Sequence, residues 1–437
     1  MNELDSERRG WVDAACARLD RDRLRQLVFE MTAIPSPTGE ERELAELLVA
    51  QLTDAGLDAA YQPIDIAQGN ATARYCGDGS GPDLLLYAPI DAHLAGDPAE
   101  DTPWAGAELR PDMQLDPFVE DDFVIGLCAE NPKGYAAAIV VAAEAIRQAG
   151  IPLRGDLMVG LGSGGMPTNR RPGQDRYNAG QGNGCSFMLE QGFRGDFAVI
   201  AKGGWAVAWE EVGLCWFRIR VAGIMNYVGT RNRFDHRNPI IQAAKLIEGI
   251  ERWLPEYRAN NTSGLVAPEG SIGAIEGGWK HKPSFVPANC DLYMDLRVSP
   301  RTEPVDAYRQ LRAAVREICD GDPELDAKVE MILAIPGATT APDNWIVQSA
   351  VQAWQQVEGR EHVDRTNTSG ATDANILRGR GIPTARIGMP PAKSLLPFGN
   401  TFSMGTVEVE GMMQLARCLV HIAIDTCTRR RDEVGLT

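Results

Sequence analysis

GYAAAIVVAAEAIRQAGIPLRGDLMVGLG (134–162) is the stretch whose reading decides the fold. Its first part, 134–150, is dominated by alanine and aliphatic residues that favour a helix, and it closes on Gly150, a residue suited to leaving one. DLMVGLG (156–162) follows after a short turn and is apolar on both faces, the mark of a short buried strand. DLLLYAPID (83–91) upstream and DFAVIAK (196–202) downstream repeat the strand signal. Buried strands alternating with helices predict an α/β fold, a mostly parallel sheet with helices on both faces. Residues 7–33 and 39–55 carry apolar positions at helical spacing, so two helices are expected to open the fold, joined by a turn at Ser36–Glu40.

Outward from this core the pattern changes at Cys215. LCWFRIRVAG (214–223) alternates like a strand with one wet face, and NPIIQAAKLIEGIERWL (238–254) is helical. SIGAIEGG (271–278) and ANCDLYMDLRVSP (288–300) read as strands, and VDAYRQLRAAVREIC (305–319) as a second helix. That order is the order of a ferredoxin-like α+β module. The buried pattern resumes near 335, with helices around 344–357 and 406–427 flanking the strand PTARIG (383–388). The expected division is a discontinuous α/β domain, 1–214 and 333–437, with a lid module inserted at 215–332. The Gly-, Asn- and Arg-rich segment 169–184 reads as a long loop able to cover a site.

The chain has 437 residues and a formal charge of −17. Nucleic acid is a poor partner for it, because phosphate binding requires clustered positive charge. No apolar stretch approaches the ~20 residues that cross a bilayer. The first thirty residues lack the apolar run of a secretion signal, and nine scattered cysteines without C-x-x-C spacing read as free thiols. Both observations predict a cytoplasmic protein.

With this order of elements, YAPIDAH (87–93), GLCAENPKG (126–134) and SGATDANIL (369–377) resemble the M20 family of metallo-aminoacylases and peptidases. Acetylornithine deacetylase, succinyl-diaminopimelate desuccinylase and glutamate carboxypeptidase are familiar members. The resemblance implies a two-zinc amidohydrolase whose α/β domain holds the metals and whose lid makes a homodimer. Position by position the metal ligands are missing. Where the family has G-H-x-D, this chain has Ala88, Pro89, Ile90 and Asp91, so the orienting Asp is kept and the His is not. The bridging Asp falls on Asn131, the acidic pair on Gly164, Gly165 and Met166, the fourth ligand on Lys202 and the last His on Asn400. Zinc needs His, Cys or carboxylate donors. No metal and no other cofactor is expected.

The remaining candidates each carry two readings. Lys202 either puts an ammonium where the dication stood, holding an anionic substrate or oxyanion, or neutralises Asp91 as a structural ion pair. The two can also work as a coupled base and acid. Asn131, Asn400 and Ser163 are neutral groups for an oxyanion or amide edge, or ordinary loop hydrogen bonders. Cys128 is a nucleophile if a thiolate forms, with His93 as its spatial partner, and otherwise a buried thiol. In the lid, Tyr227 falls where the resemblance implies a His that crosses the dimer to polarise the scissile carbonyl. Arg297 matches the family's carboxylate-binding Arg, unless it pairs with Asp295 or Asp291. His236 is a weaker lid candidate for the cleft. The function expected is metal-independent hydrolysis of a C–N bond, amide or ureide, in a small anionic substrate. The alternatives are a lyase or isomerase using Lys202 and an inactive small-molecule-binding homologue.

Overall fold

Alternate residues of the strand Leu84–Pro89 face two different cores. Leu84, Leu86 and Ala88 join one cluster, which includes Leu24 and Met31 of the helix Arg21–Ala33, Ile139 of Tyr135–Gln148 and Leu419 of Val409–Cys427. Leu85 and Tyr87 point the other way, against Met188 of the helix Asn183–Glu190 and Leu377 of Ala374–Gly379. A strand apolar on both faces is therefore covered on both. Each fully buried leucine contributes about 1.5–3 kcal/mol of transfer free energy.

The computed structural model describes residues 4–169, 180–392 and 404–437. In chain order the strands of its two main sheets are β1 (Asp58–Pro63), β2 (Gly69–Tyr75), β3 (Leu84–Pro89), β4 (Leu157–Gly162), β5 (Phe197–Gly204), β6 (Val207–Ala208), β7 (Gly213–Ala222), β8 (Gly270–Gly277), β9 (Asn289–Val298), β10 (Ala327–Ile335) and β11 (Thr384–Met389). The chain divides into two compact units, Met1–Trp209 with Thr340–Asp364 and Thr372–Thr437, and Glu210–Thr339 with Arg365–Ala371.

The first unit is built on a sheet of order β1-β2-β4-β3-β5-β11-β6. Its central strands β4, β3, β5 and β11 run parallel, while β1, β2 and β6 add antiparallel edges. The α/β architecture is as expected, and the sheet is parallel only in its middle. Three helices, not two, open the chain: Ser6–Cys16, Arg21–Ala33 and Arg42–Asp54. The break falls at Asp20, whose side chain accepts the N–H groups of Asp22 and Arg23 and so starts a new helix. The expected helix at 406–427 begins instead as a short strand, Thr406–Glu408, paired with Phe123–Ile125, and becomes helical at Val409.

The second unit is a sheet of order β8-β9-β7-β10, antiparallel throughout, which is the ferredoxin-like order read from the sequence. Cys215, Phe217 and Ile219 of β7 pack with Leu246 and Leu311 of the helices Pro239–Asn261 and Pro304–Asp320. The opposite face of β7 is polar, where Arg220 holds Asp291 with two bonds of 2.8 and 2.7 Å. Ala338–Thr339 pairs with Glu210–Glu211 at the base of this unit.

Candidate active site

Parallel α/β sheets place their sites beyond the carboxyl ends of the strands. Pro89 ends β3, Gly164–Met166 follow β4, and Lys202 lies near the end of β5. Asn131 sits in the turn that leads into the helix Tyr135–Gln148.

Asp91 is fully buried at this edge. Its Oδ2 accepts the Thr38 hydroxyl at 2.7 Å and the Met166 N–H at 2.7 Å, and its Oδ1 the Gly165 N–H at 2.9 Å. Burial pushes its carboxyl upward, and these bonds together with the Lys202 charge pull it back. Lys202 does not touch it: no ion pair joins them among the described residues. The Lys202 charge is nonetheless felt at both Asp91 and Cys128.

Glu41 is a second buried carboxylate. Its Oε1 accepts the N–H groups of Gly39 and Gly164, both at 2.9 Å, while its Oε2 is buried without a partner. Burial first, and then the negative charge of Asp91, push it up to about 8, so Glu41 carries a proton at neutral pH. Four successive N–H groups, from Ser163 to Met166, thus end on Asn70, Glu41, Asp91 and Asp91. The glycines are needed there. Gly164 has φ +62°, and a Cβ at Gly165 would stand 2.4 Å from Pro89 Cβ and 3.2 Å from Asp91 Oδ1. A glutamate cannot replace Gly165 while Pro89 is in place.

Cys128, in left-handed backbone with φ +62°, is fully buried with its Sγ 3.2 Å from His93 Nδ1. Burial pushes the thiol up to about 11 and the imidazole down. Both displacements favour the neutral thiol–imidazole pair over thiolate–imidazolium. The pair is a neutral thiol in hydrogen-bond contact with a neutral imidazole, not an activated nucleophile. Lys133 is fully buried, gives Nζ–H to Ile34 O at 2.8 Å, and is pushed down to about 8 by burial. The Asn131 Oδ1 is buried with no partner. Ser163 is engaged by Asn70 through both its N–H and its hydroxyl, the ordinary loop role. Asn400 lies outside the described residues.

The lid candidates belong to the second unit. Arg297 holds Asp295 through Nε at 2.9 Å and Nη2 at 3.1 Å, so its guanidinium already has an anion. Tyr227 is half exposed, its ring 5.3 Å from that of Phe285. His236 is partly buried and makes no hydrogen bond among the described residues.

Residues 210–323 match the family model for the M20 peptidase dimerisation domain. Similar solved structures are an aminopeptidase of Bacillus cereus (16% identity, 94% of this chain and 99% of that one, TM-score 0.64) and human carnosine dipeptidase 1 (15%, 98% and 100%, 0.69). Another is an M20 family metallo-carboxypeptidase of Sulfolobus solfataricus (14%, 92% and 99%, 0.67). The chain has the M20 fold. The metal that M20 implies does not fit the residues present. Pro89, Asn131, Gly165, Met166 and Lys202 offer no carboxylate, imidazole or thiolate, and Lys202 brings a cation of its own. Among the described residues no group of three or more His, Cys, Asp or Glu is placed to hold a metal ion.

Three residues of the site went unread in the sequence. Glu41 and Thr38 lie in a charged helix entry that resembles a solvated face. Asp373, which accepts the Tyr87 hydroxyl at 2.6 Å, stands within the quoted SGATDANIL, where a signal was available. A Cβ at Gly165 would lie 3.1 Å from its Oδ2.

Proposed function

We propose that this M20-fold protein hydrolyses a C–N bond, amide or ureide, in a small carboxylate-bearing substrate without a catalytic metal. The observation that supports the reading is the exchange of a donor set for a single ammonium at the end of β5, within electrostatic reach of Asp91 and Cys128. A fixed cation stabilises the oxyanion of a tetrahedral intermediate as a Lewis acid does, without ligands. The solved relatives act on C–N bonds by their names, among them a tripeptidase of Staphylococcus aureus and a hydantoinase/carbamoylase family amidase of Burkholderia ambifaria. In this reading Lys202 faces the developing oxyanion, and the Asn131 amide fixes the substrate edge. Asp91 is a strut that holds the turn 163–166 in place. Turnover of N-acyl amino acids, ureides and cyclic amides in the presence of EDTA tests it, with Lys202→Met as the control.

One observation favours a second reading, ligand binding without turnover. Both oxygens of Asp91 and all four N–H groups of the turn after β4 are spent inside the protein. Calorimetric binding of a panel compound that is never cleaved would select it.

A further inference from the structure

Three helices of the first unit, Ser6–Cys16, Trp345–Glu358 and Val409–Cys427, line a cleft of about 600 Å³ that shares no residue with the site at the ends of β3, β4 and β5. Each contributes a polar pair spaced by one helical turn: Asp13 and Cys16, Gln352 and Gln356, Arg417 and His421. Helix faces turned toward a core are normally apolar, so polar pairs from all three at one place are unlike a packing seam. The volume is that of a small-molecule pocket.

The protein leaves these polar groups unsatisfied. His421 is only 6% exposed, lines the cleft, and has its Nε2 buried with no partner. Such an orphan is normally matched by water or by a ligand. Burial pushes the imidazole down, so it is neutral and offers one ring nitrogen as acceptor. The Asp13 carboxylate and the Gln352 and Gln356 amides make no bond among the described residues. Arg417 gives Nη1–H to Glu410 Oε1 at 3.0 Å, and its other N–H groups have no partner among the described residues. Arg417 and Asp13 both act on the Cys16 thiol, yet no ion pair joins them among the described residues. A plain anion in the cleft would suit Arg417 and be repelled by Asp13, and a plain cation the reverse. A zwitterion answers both. Val12 and Val357 add apolar surface to the lining.

We propose that this cleft binds a free α-amino acid with an apolar side chain. Its carboxylate takes the open N–H edge of Arg417 and the amides of Gln352 and Gln356. Its ammonium gives one N–H to Asp13 and another to His421, and its side chain lies on Val12 and Val357.

The test titrates the full chain with leucine by calorimetry and follows the histidine side chains by nitrogen-15 NMR. Leucine should bind, and a ring resonance lost in His421→Gln should shift on saturation. Leucinamide, which lacks the carboxylate, and N-acetylleucine, which lacks the ammonium, should leave that resonance in place at the same concentration. Asp13→Asn and Arg417→Gln should each weaken leucine binding about tenfold or more, the loss of one charge-assisted contact. Asp13 is exposed and unpaired, so Asp13→Asn keeps the fold even if Arg417→Gln does not. No heat and no shift at millimolar leucine would mean that the cleft holds water only, and would overturn the proposal. Leucine binding undiminished in Asp13→Asn, or an equal His421 shift with N-acetylleucine, would overturn it too. No turnover enters these readouts, so they stand apart from the hydrolase reading.

Discussion

His93 Nδ1 stands 3.2 Å from Cys128 Sγ, in a contact where neither partner is charged at neutral pH. The geometry of a catalytic dyad is present and its ionisation is not, because burial raises the cost of both charged forms and, among the described residues, no acid hydrogen-bonds His93.

Cys128 should therefore resist alkylation by iodoacetamide at pH 7.5 in the folded protein, while the exposed Cys76 reacts. Peptide mass spectrometry reads both sites in one experiment. Rapid modification of Cys128 without unfolding would restore it as a nucleophile.

Glu41 ties stability to pH. Its folded value is raised to about 8 from an ordinary 4.5, so the native state binds the extra proton. Stability from this group is full below pH 4.5 and is lost as pH rises toward 8, up to about 5 kcal/mol in all. Glu41→Gln, which mimics the neutral acid, should flatten the fall in thermal midpoint between pH 5 and 8. An unchanged slope would mean that Glu41 is ionised in the native protein.

Asp91 takes its support from Thr38, Gly165 and Met166 rather than from an ion pair. Thr38→Val should cost about 1–3 kcal/mol by leaving a buried acceptor short of a donor. Lys202→Met should cost less in denaturant unfolding and yet abolish turnover. If Lys202→Met proves the more destabilising of the two, the lysine is a structural counter-ion.

The lid should form a two-fold dimer through the edge strand β8. Ile275 on that strand is 55% exposed and Trp279 just beyond it 64%, apolar groups that a free edge does not normally display. Ile275→Lys is expected to turn a dimer at micromolar concentration into a monomer in light scattering. A native monomer would sink the shared-site idea for Tyr227.

Much of the fold was legible in local periodicity. The runs 83–91 and 156–162 are apolar on both faces, and such a strand has only one stable place, between two helical layers. The alternation at 214–223 likewise specified a sheet with one wet face. The site was legible only where chemistry was conspicuous by substitution, at Pro89, Asn131, Met166 and Lys202. Glu41 was hidden because burial of a charge is decided by distant chain: its neighbours in GEERELAELL are solvated, and only its bond to Gly164 N–H, from far along the chain, reveals it. The Lys202–Asp91 ion pair, one of two readings of Lys202, is not found among the described residues, since backbone donors, which leave no mark in a sequence, hold Asp91 instead.

The central claim is catalysis of C–N hydrolysis without metal, and turnover measured before and after chelation tests it most directly. Protein treated with EDTA, desalted and assayed for bound metal should turn over its panel substrate at the untreated rate with far less than one zinc, manganese or cobalt per chain. Activity that vanishes with the chelator and returns with added zinc would contradict the account.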